Sequence, residues 1–194
     1  MYYYITGSLI ESTPTEAVIE NNGIGYKLQI SLQTYSDIQG LNEAKLYIYH
    51  HLREDIELWY GFFSKEERNI FLMLIEVNGI GPNTARMMLS SLTPEELKTA
   101  IIAEDVNKIK SVKGIGLKTA QRVIIDLKDK IIKGGAQSDA LFPGESSKNK
   151  EEALSALVLL GFSKSAADKV ISEILKEKPS TTLEELIKFS LKRL

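Results

Sequence analysis

The stretch "VNGIGPNTARMML", Val77 to Leu89, returns thirty-five residues later as "VKGIGLKTAQRVI", Val112 to Ile124. Six of the thirteen positions are identical: Val77/Val112, Gly79/Gly114, Ile80/Ile115, Gly81/Gly116, Thr84/Thr119 and Ala85/Ala120. In each copy the pattern predicts that an apolar helix ends, that Gly-Ile-Gly turns tightly, and that a new helix begins near Pro82-Asn83-Thr84 or Leu117-Lys118-Thr119. Glycine permits positive φ and close backbone approach, and the isoleucine between the glycines can plug the turn into a core. Amides at the turn and in the first turn of the next helix have no intrahelical acceptor and sit at a positive dipole end, which suits phosphate. Lys113, Lys118 and Arg122 add charge beside the second copy. One such turn would be an ordinary helix connection. Two, packed about a local two-fold, would offer two phosphate sites at a fixed separation, matching the strands that border a duplex groove. Such contacts carry no base code, so binding would be sequence-independent and salt-sensitive.

Composition limits the setting. A chain of 194 residues is long enough for two or three small domains. It contains no Cys, which removes disulfide frameworks and thiolate metal sites. The two His, His50 and His51, are adjacent, and on a strand they would point to opposite faces, a poor metal pair. With no basic-then-apolar leader and no run of 18 apolar residues, the chain reads as soluble and cytoplasmic, with no membrane partner. The formal net charge of -2 hides a gradient. Residues 1–63 carry 3 Lys and Arg against 8 Asp and Glu, residues 64–133 carry 12 against 9, and residues 134–194 carry 9 against 9. Lys108 to Lys133 holds 8 basic residues against Asp126 and Asp129, the one basic patch.

Residues 1–63 read as β-structure. "YYYITGSLI", "EAVIENN", "YKLQIS", "KLYIYHHL" and "IELWYGF" are short, partly alternating runs rich in Tyr, Ile, Leu and Val, punctuated by Pro14, Asn21-Asn22-Gly23 and Gly40. "LQTYSDI" reads as a short helix between the third and fourth runs. Five strands with a helical insertion suit a closed or partly open barrel of the oligonucleotide-binding type. All eight Tyr fall here; such rings can stack on bases, and most are expected to fill the barrel core.

From Ser64 the period becomes helical. Ser64-x-x-Glu67 reads as a capping box, and "KEERNIFLMLIEV" places Ile70, Leu74 and Val77 on one face. Thr93-Pro94-Glu95-Glu96 is a second helix start. Residues 64–133 are thus an all-α segment carrying both glycine turns. Residues 134–149, "GGAQSDALFPGESSKN", have linker composition. Residues 150–194 read as a three-helix module broken at Gly161-Phe162 and Pro179. Its Leu160-Gly161-Phe162 resembles the loop of ubiquitin-associated-type domains, where apolar side chains dock a partner. The ordinary reading assigns Leu157, Leu160, Phe162, Val170, Ile174, Leu186 and Ile187 to the bundle core.

"NGIGPNTA" and "KGIGLKTA" look like tandem helix-hairpin-helix motifs. With "REDIELWYGF" after a β-rich start and a linker leading to a small helical module, essentially the whole chain resembles the RuvA family, the Holliday junction-binding subunits of the bacterial RuvA–RuvB branch migration complex. The resemblance implies a multidomain α+β protein: an oligonucleotide-binding-type barrel, a tandem helix-hairpin-helix domain, and a C-terminal domain that contacts the hexameric ATPase motor RuvB. It implies a homotetramer matching the four-fold symmetry of a four-way junction, with an octamer as the other assembly left open and the junction resolvase RuvC as a further candidate partner. It implies no cofactor of the chain's own, ATP and Mg being used by the motor. Carried over by position, the acidic pin falls on Glu54 and Asp55. The phosphate-binding hairpins fall on Gly79, Ile80 and Gly81 and on Gly114, Ile115 and Gly116, with Asn83, Thr84, Lys113, Lys118, Thr119 and Arg122 around them. The family usually carries Lys where Asn83 stands and a second Lys where Leu117 stands, so side-chain charge is redistributed while the backbone donors remain.

Four copies of Glu54-Asp55 near a symmetry axis would gather about eight carboxylates where junction strands cross, repelling phosphate and guiding single strands into separate arms. Alone, Arg53-Glu54-Asp55 would read as a solvated hairpin tip. Two other classes remain open from residues alone: a helix-hairpin-helix repair enzyme or accessory subunit acting on duplex DNA, and a protein-interaction adaptor. Against the enzyme, the chain lacks a phosphate-cradling G-x-x-x-x-G-K-S/T loop, a metal-spaced carboxylate cluster and a Ser/His/Asp arrangement. Asp126 is the one residue placed like a catalytic aspartate, and it is expected to face solvent.

Overall fold

The computed structural model describes residues 2–135, 145–178 and 181–194. Five strands, β1 (Tyr4–Ser12), β2 (Glu16–Asn21), β3 (Ile24–Ile30), β4 (Glu43–Leu52) and β5 (Glu57–Phe62), close into a barrel in the order β1-β2-β3-β5-β4. Neighbours are antiparallel except β3 and β5, which run parallel. The β2–β3 hairpin turns on Asn22 and Gly23, both at positive φ (51° and 79°), the geometry that Asn-Gly favours in a two-residue hairpin loop. Helix α1 (Leu32–Ile38) fills the β3–β4 connection, with Ser31 capping the Thr34 amide. The expected strands and this helix are all present.

The barrel interior is Ile5, Ala17, Ile19, Leu28, Ile30, Ile38, Ala44, Leu46 and Ile48. Strand alternation sends every second β5 side chain the other way. Tyr60 and Phe62 thereby join the core of the helices that follow, stacking on Phe71 at ring distances of 5.3 and 4.7 Å. Of the eight Tyr, only Tyr60 is fully buried. Tyr26 and Tyr35 pack against the barrel core, Tyr47 and Tyr49 against the helical one, and Tyr2, Tyr3 and Tyr4 are exposed, so the expectation that most rings fill the barrel is corrected.

The helices are α2 (Lys65–Glu76), α3 (Pro82–Ser91), α4 (Pro94–Ile102), α5 (Val106–Lys110) and α6 (Leu117–Gly135). Ile70, Leu74 and Val77 are buried on one face of α2 as expected. Thr93 and Glu96 form the reciprocal cap of α4. The expected capping box at Ser64 is corrected: Ser64 accepts from the Glu67 amide, but the Glu67 side chain does not return to it. It turns toward the start of α1 instead and is bonded by the Ser31 and Thr34 hydroxyls. Arg68 is buried too, donating to the Ile48 carbonyl at 2.7 Å with its guanidinium over the Tyr3 ring. These ties make residues 1–135 one compact unit.

The second unit comprises α7 (Glu145–Leu159), α8 (Lys164–Glu177) and α9 (Leu183–Arg193), packed around Ala153, Leu157, Ala167, Ile171, Ile174 and Leu186. Helix α7 begins inside the stretch of linker composition, and most of that stretch, residues 136–144, lies outside the described residues, as does Pro179. Leu160 is 60% exposed and does not belong to the bundle core, a correction to its ordinary reading. The chain leaves α7 through Gly161 at φ 99°, which turns Leu160 outward and Phe162 back against the core. Among the described residues no helix is long and apolar enough to cross a membrane.

Candidate nucleic-acid interface

The two glycine turns share one backbone design. Gly79 and Gly114 take φ of 95° and 89°. The Ile80 amide then bonds the Val77 carbonyl at 3.0 Å, and the Ile115 amide bonds the Val112 carbonyl at 3.1 Å. Ile80 and Ile115 are buried, anchoring each bend in the core, while all four glycines are exposed. The first intrahelical bond of α3 runs from the Ala85 amide to the Gly81 carbonyl, and that of α6 from the Ala120 amide to the Gly116 carbonyl, each at 2.9 Å. The amides of Asn83 and Thr84, and of Leu117, Lys118 and Thr119, lie before those bonds and face out from helix N-termini. The copies differ in what precedes the turn: α2 spans twelve residues, whereas α5 spans five.

The second glycine of each pair is not required by the protein's own geometry. Gly81 has φ −89°, open to any residue, and Cβ atoms built on Gly81 or Gly116 meet nothing within 4 Å. What glycine provides at these positions is clear space above the orphan amides. A shallow groove of about 620 Å³ joins Asn78 and Gly79 of the first turn to Lys118, Thr119 and Arg122 of the second, so the two turns lie side by side.

Charge is distributed unevenly around this groove. Lys108, Lys128 and Lys130 are tied to Glu96, Glu104 and Glu76. The bond from Lys128 holds the Glu104 carboxyl below its ordinary range. Lys113, Lys118 and Arg122 are exposed and make no ion pair among the described residues, which leaves the second turn with three uncommitted cations. Asn83 is exposed as well, but its Oδ1 accepts from Tyr60 at 3.2 Å. Asp126 is exposed at the groove edge, and the described residues hold no group of three potential metal ligands.

Glu54 and Asp55 occupy the β4–β5 loop, which is closed by the Arg53 amide bonding the Ile56 carbonyl at 2.8 Å. Both carboxylates are exposed, with exposed Leu52 and Ile56 flanking them. His50 bonds Glu57 at 2.9 Å and His51 lies against Tyr49, so the two imidazoles do separate.

In the second unit, Leu160 and Gly161 are exposed and Phe162 is half-buried. Sequence reasoning missed Leu159, 87% exposed, and Val158 beside it, which extend the apolar surface of Leu160. Their signal was present, since three successive apolar residues at a helix end cannot all face one core. It also missed Arg86 and Arg68, whose bonds go to barrel carbonyls distant in sequence and leave no local trace.

These features define a tandem helix-hairpin-helix protein built onto an oligonucleotide-binding-type barrel. Family models agree in order: one described as RuvA N terminal domain matches residues 1–61, SAM-like Helix-hairpin-helix tandem matches 71–129, and RuvA, C-terminal domain matches 148–194. Proteins named Holliday junction branch migration complex subunit RuvA are similar along the full length. The one from Bacteroides fragilis is 52% identical, that from Christiangramia forsetii 53% and that from Flavobacterium psychrophilum 47%, each over 100% of both chains. The chain belongs to the RuvA family.

Proposed function

We propose that this protein binds four-way DNA junctions through their backbones, without reading sequence and without catalysing a reaction itself, and delivers them to an ATP-driven motor for branch migration. The observation that carries the reading is the pair of glycines, Gly81 and Gly116, which neither the backbone nor the packing requires and which clear the approach to two matched sets of amides. Phosphates of the two strands across a groove would accept from those amides, with Lys113, Lys118 and Arg122 supplying salt-sensitive attraction on one side. The names of the full-length relatives support the same function.

Four protomers would surround the crossover, with Glu54 and Asp55 of each at the centre, where carboxylates keep phosphates apart and turn strands into their arms. The second unit would present Leu159, Leu160 and the Gly161 turn to the motor, which supplies the ATP and Mg chemistry; the chain needs no cofactor of its own. The work would be cytoplasmic, and a junction resolvase, RuvC, would share the same substrate.

The test is a comparison of binding to an immobile four-way junction and to linear duplex of equal length, without ATP or metal, combined with mass measurement of the complex. Tighter junction binding by a tetramer or octamer is expected. Equal affinity for both DNAs would reject the junction reading, and cleavage or base release from either would reject the non-catalytic one.

A further inference from the structure

The strand that leaves the acidic loop also holds the first hairpin in place. β5 begins two residues after Asp55, and its Tyr60, 1% exposed, donates its hydroxyl to Asn83 Oδ1. Tyr60 stands five residues after Asp55, at most roughly 17 Å along the chain. Asn83 is the second residue of α3, immediately after the Gly81-Pro82 turn. One turn on, Arg86 Nη1 donates to the Thr15 carbonyl at 3.0 Å and the Ile30 carbonyl at 3.3 Å. A further turn on, Ser90 Oγ accepts from the Leu32 amide at 3.1 Å. Positions 83, 86 and 90 share one helix face, so that face of α3 is bonded at three places to the barrel and its α1 insertion.

The second copy uses the equivalent face differently. Thirty-five residues on from Asn83, Arg86 and Ser90 stand Lys118, Gln121 and Ile125, all exposed and all lining the groove. The repeat has therefore divided its labour: one copy's face attaches to the barrel, and the other's is left open to a ligand. Asn suits the first role because its amide oxygen accepts from Tyr60, whereas the Lys at the equivalent position of the second copy has no acceptor. Burial raises the Tyr60 pKa, so the phenol remains a donor across the physiological range.

We propose that Asn83, together with Arg86, is a positioning residue that sets the first hairpin at a fixed distance from the Glu54-Asp55 loop, and that preference for a junction over linear duplex depends on this fixed distance. The inference rests on the junction-binding reading above. Linear duplex needs only the hairpins, whereas a junction must meet the hairpins and the acidic loop at once. Slack between the two therefore weakens junction binding selectively.

Affinities of the full-length protein for a four-way junction and for equal-length duplex, measured by fluorescence anisotropy across a salt series, test this with three variants. Tyr60→Phe fills the same space and lacks the donor; the junction-to-duplex ratio should fall about three- to fivefold, the loss of one hydrogen bond, with duplex affinity and salt slope unchanged. Asn83→Asp retains the acceptor and adds a negative charge, so both affinities should fall together and the ratio should hold. Asn83→Lys should lower the ratio as Tyr60→Phe does, while strengthening duplex binding and steepening the salt slope by about 1. A Tyr60→Phe ratio equal to that of wild type, or an Asn83→Asp ratio that falls like that of Tyr60→Phe, would overturn the positioning role. Absence of junction preference in the wild type would instead overturn the function on which it rests.

Discussion

Thr34 Oγ1 donates to the Glu67 carboxylate at 2.6 Å, joining the helix inside the barrel connection to the first helix beyond the barrel. The same hydroxyl accepts from the Phe63 amide, and Ser31 Oγ, which also bonds Glu67, accepts from the Thr34 amide. Each hydroxyl has one proton, and both protons point at a carboxylate that is 1% exposed.

Burial pushes the Glu67 pKa above its ordinary 4.5, outweighing the bonds from Ser31 and Thr34 that lower it. The folded state therefore holds this proton more tightly than the unfolded chain, and the associated stability is complete below pH 4.5 and is lost as pH rises through the folded value. Glu67→Gln, which removes the charge, should flatten that dependence at a cost of about 1–3 kcal/mol, since its NH2 group cannot accept one of the two hydroxyl protons. Glu67→Ala should cost about 2–4 kcal/mol, since it orphans two buried hydroxyls and opens a cavity. Denaturant titrations between pH 4 and 8 would read both effects.

The glycine pairs should separate stability from binding. Gly81→Ala and Gly116→Ala place a methyl in open space at ordinary φ, so folding should change by less than about 1 kcal/mol while affinity for DNA drops at least tenfold. Gly79→Ala and Gly114→Ala force a side chain into positive φ and should lower stability by about 1 kcal/mol or more. Thermal melting alongside duplex binding would show the split; intact binding by both Gly81→Ala and Gly116→Ala would remove the hairpins from the interface.

Neutralising Glu54 and Asp55 to Gln and Asn should raise affinity for linear duplex and leave junction affinity within about twofold, because short-range repulsion of phosphate is what those carboxylates contribute. Competition binding between the two DNAs measures this directly, and an unchanged ratio would return the loop to a solvated tip.

Lys118→Ala and Arg122→Ala should each reduce the slope of log affinity against log salt by about 1, as expected for one phosphate contact apiece. Lys130→Ala serves as the comparison, since Glu76 already occupies that ammonium, and its slope should remain that of wild type.

Much of this was legible in the chain itself. Alternation of Val, Ile, Leu and Tyr between Gly and Asn turns marked all five strands, and "LQTYSDI" marked α1, because a two-residue period and local caps are written in neighbouring residues. The repeat was visible for the same reason. What stayed hidden depended on partners far along the chain. Glu67 looked like half of a capping box until Ser31 and Thr34, more than thirty residues away, claimed its carboxylate. Arg68 and Arg86 carry no local sign of their role, since nothing nearby reveals the carbonyls of Ile48, Thr15 and Ile30. For Leu160 the spacing fits the bundle while the loop resemblance suits docking, and only the reversal at Gly161 turns it outward.

Because β5 gives Tyr60 and Phe62 to the helical core, an isolated 1–63 fragment would carry two bare aromatic rings on its flank, with the Ser31 and Thr34 hydroxyls stripped of their acceptor. The barrel and its helices therefore stand or fall as one folding unit, and a cut at residue 63 would not yield a free-standing domain.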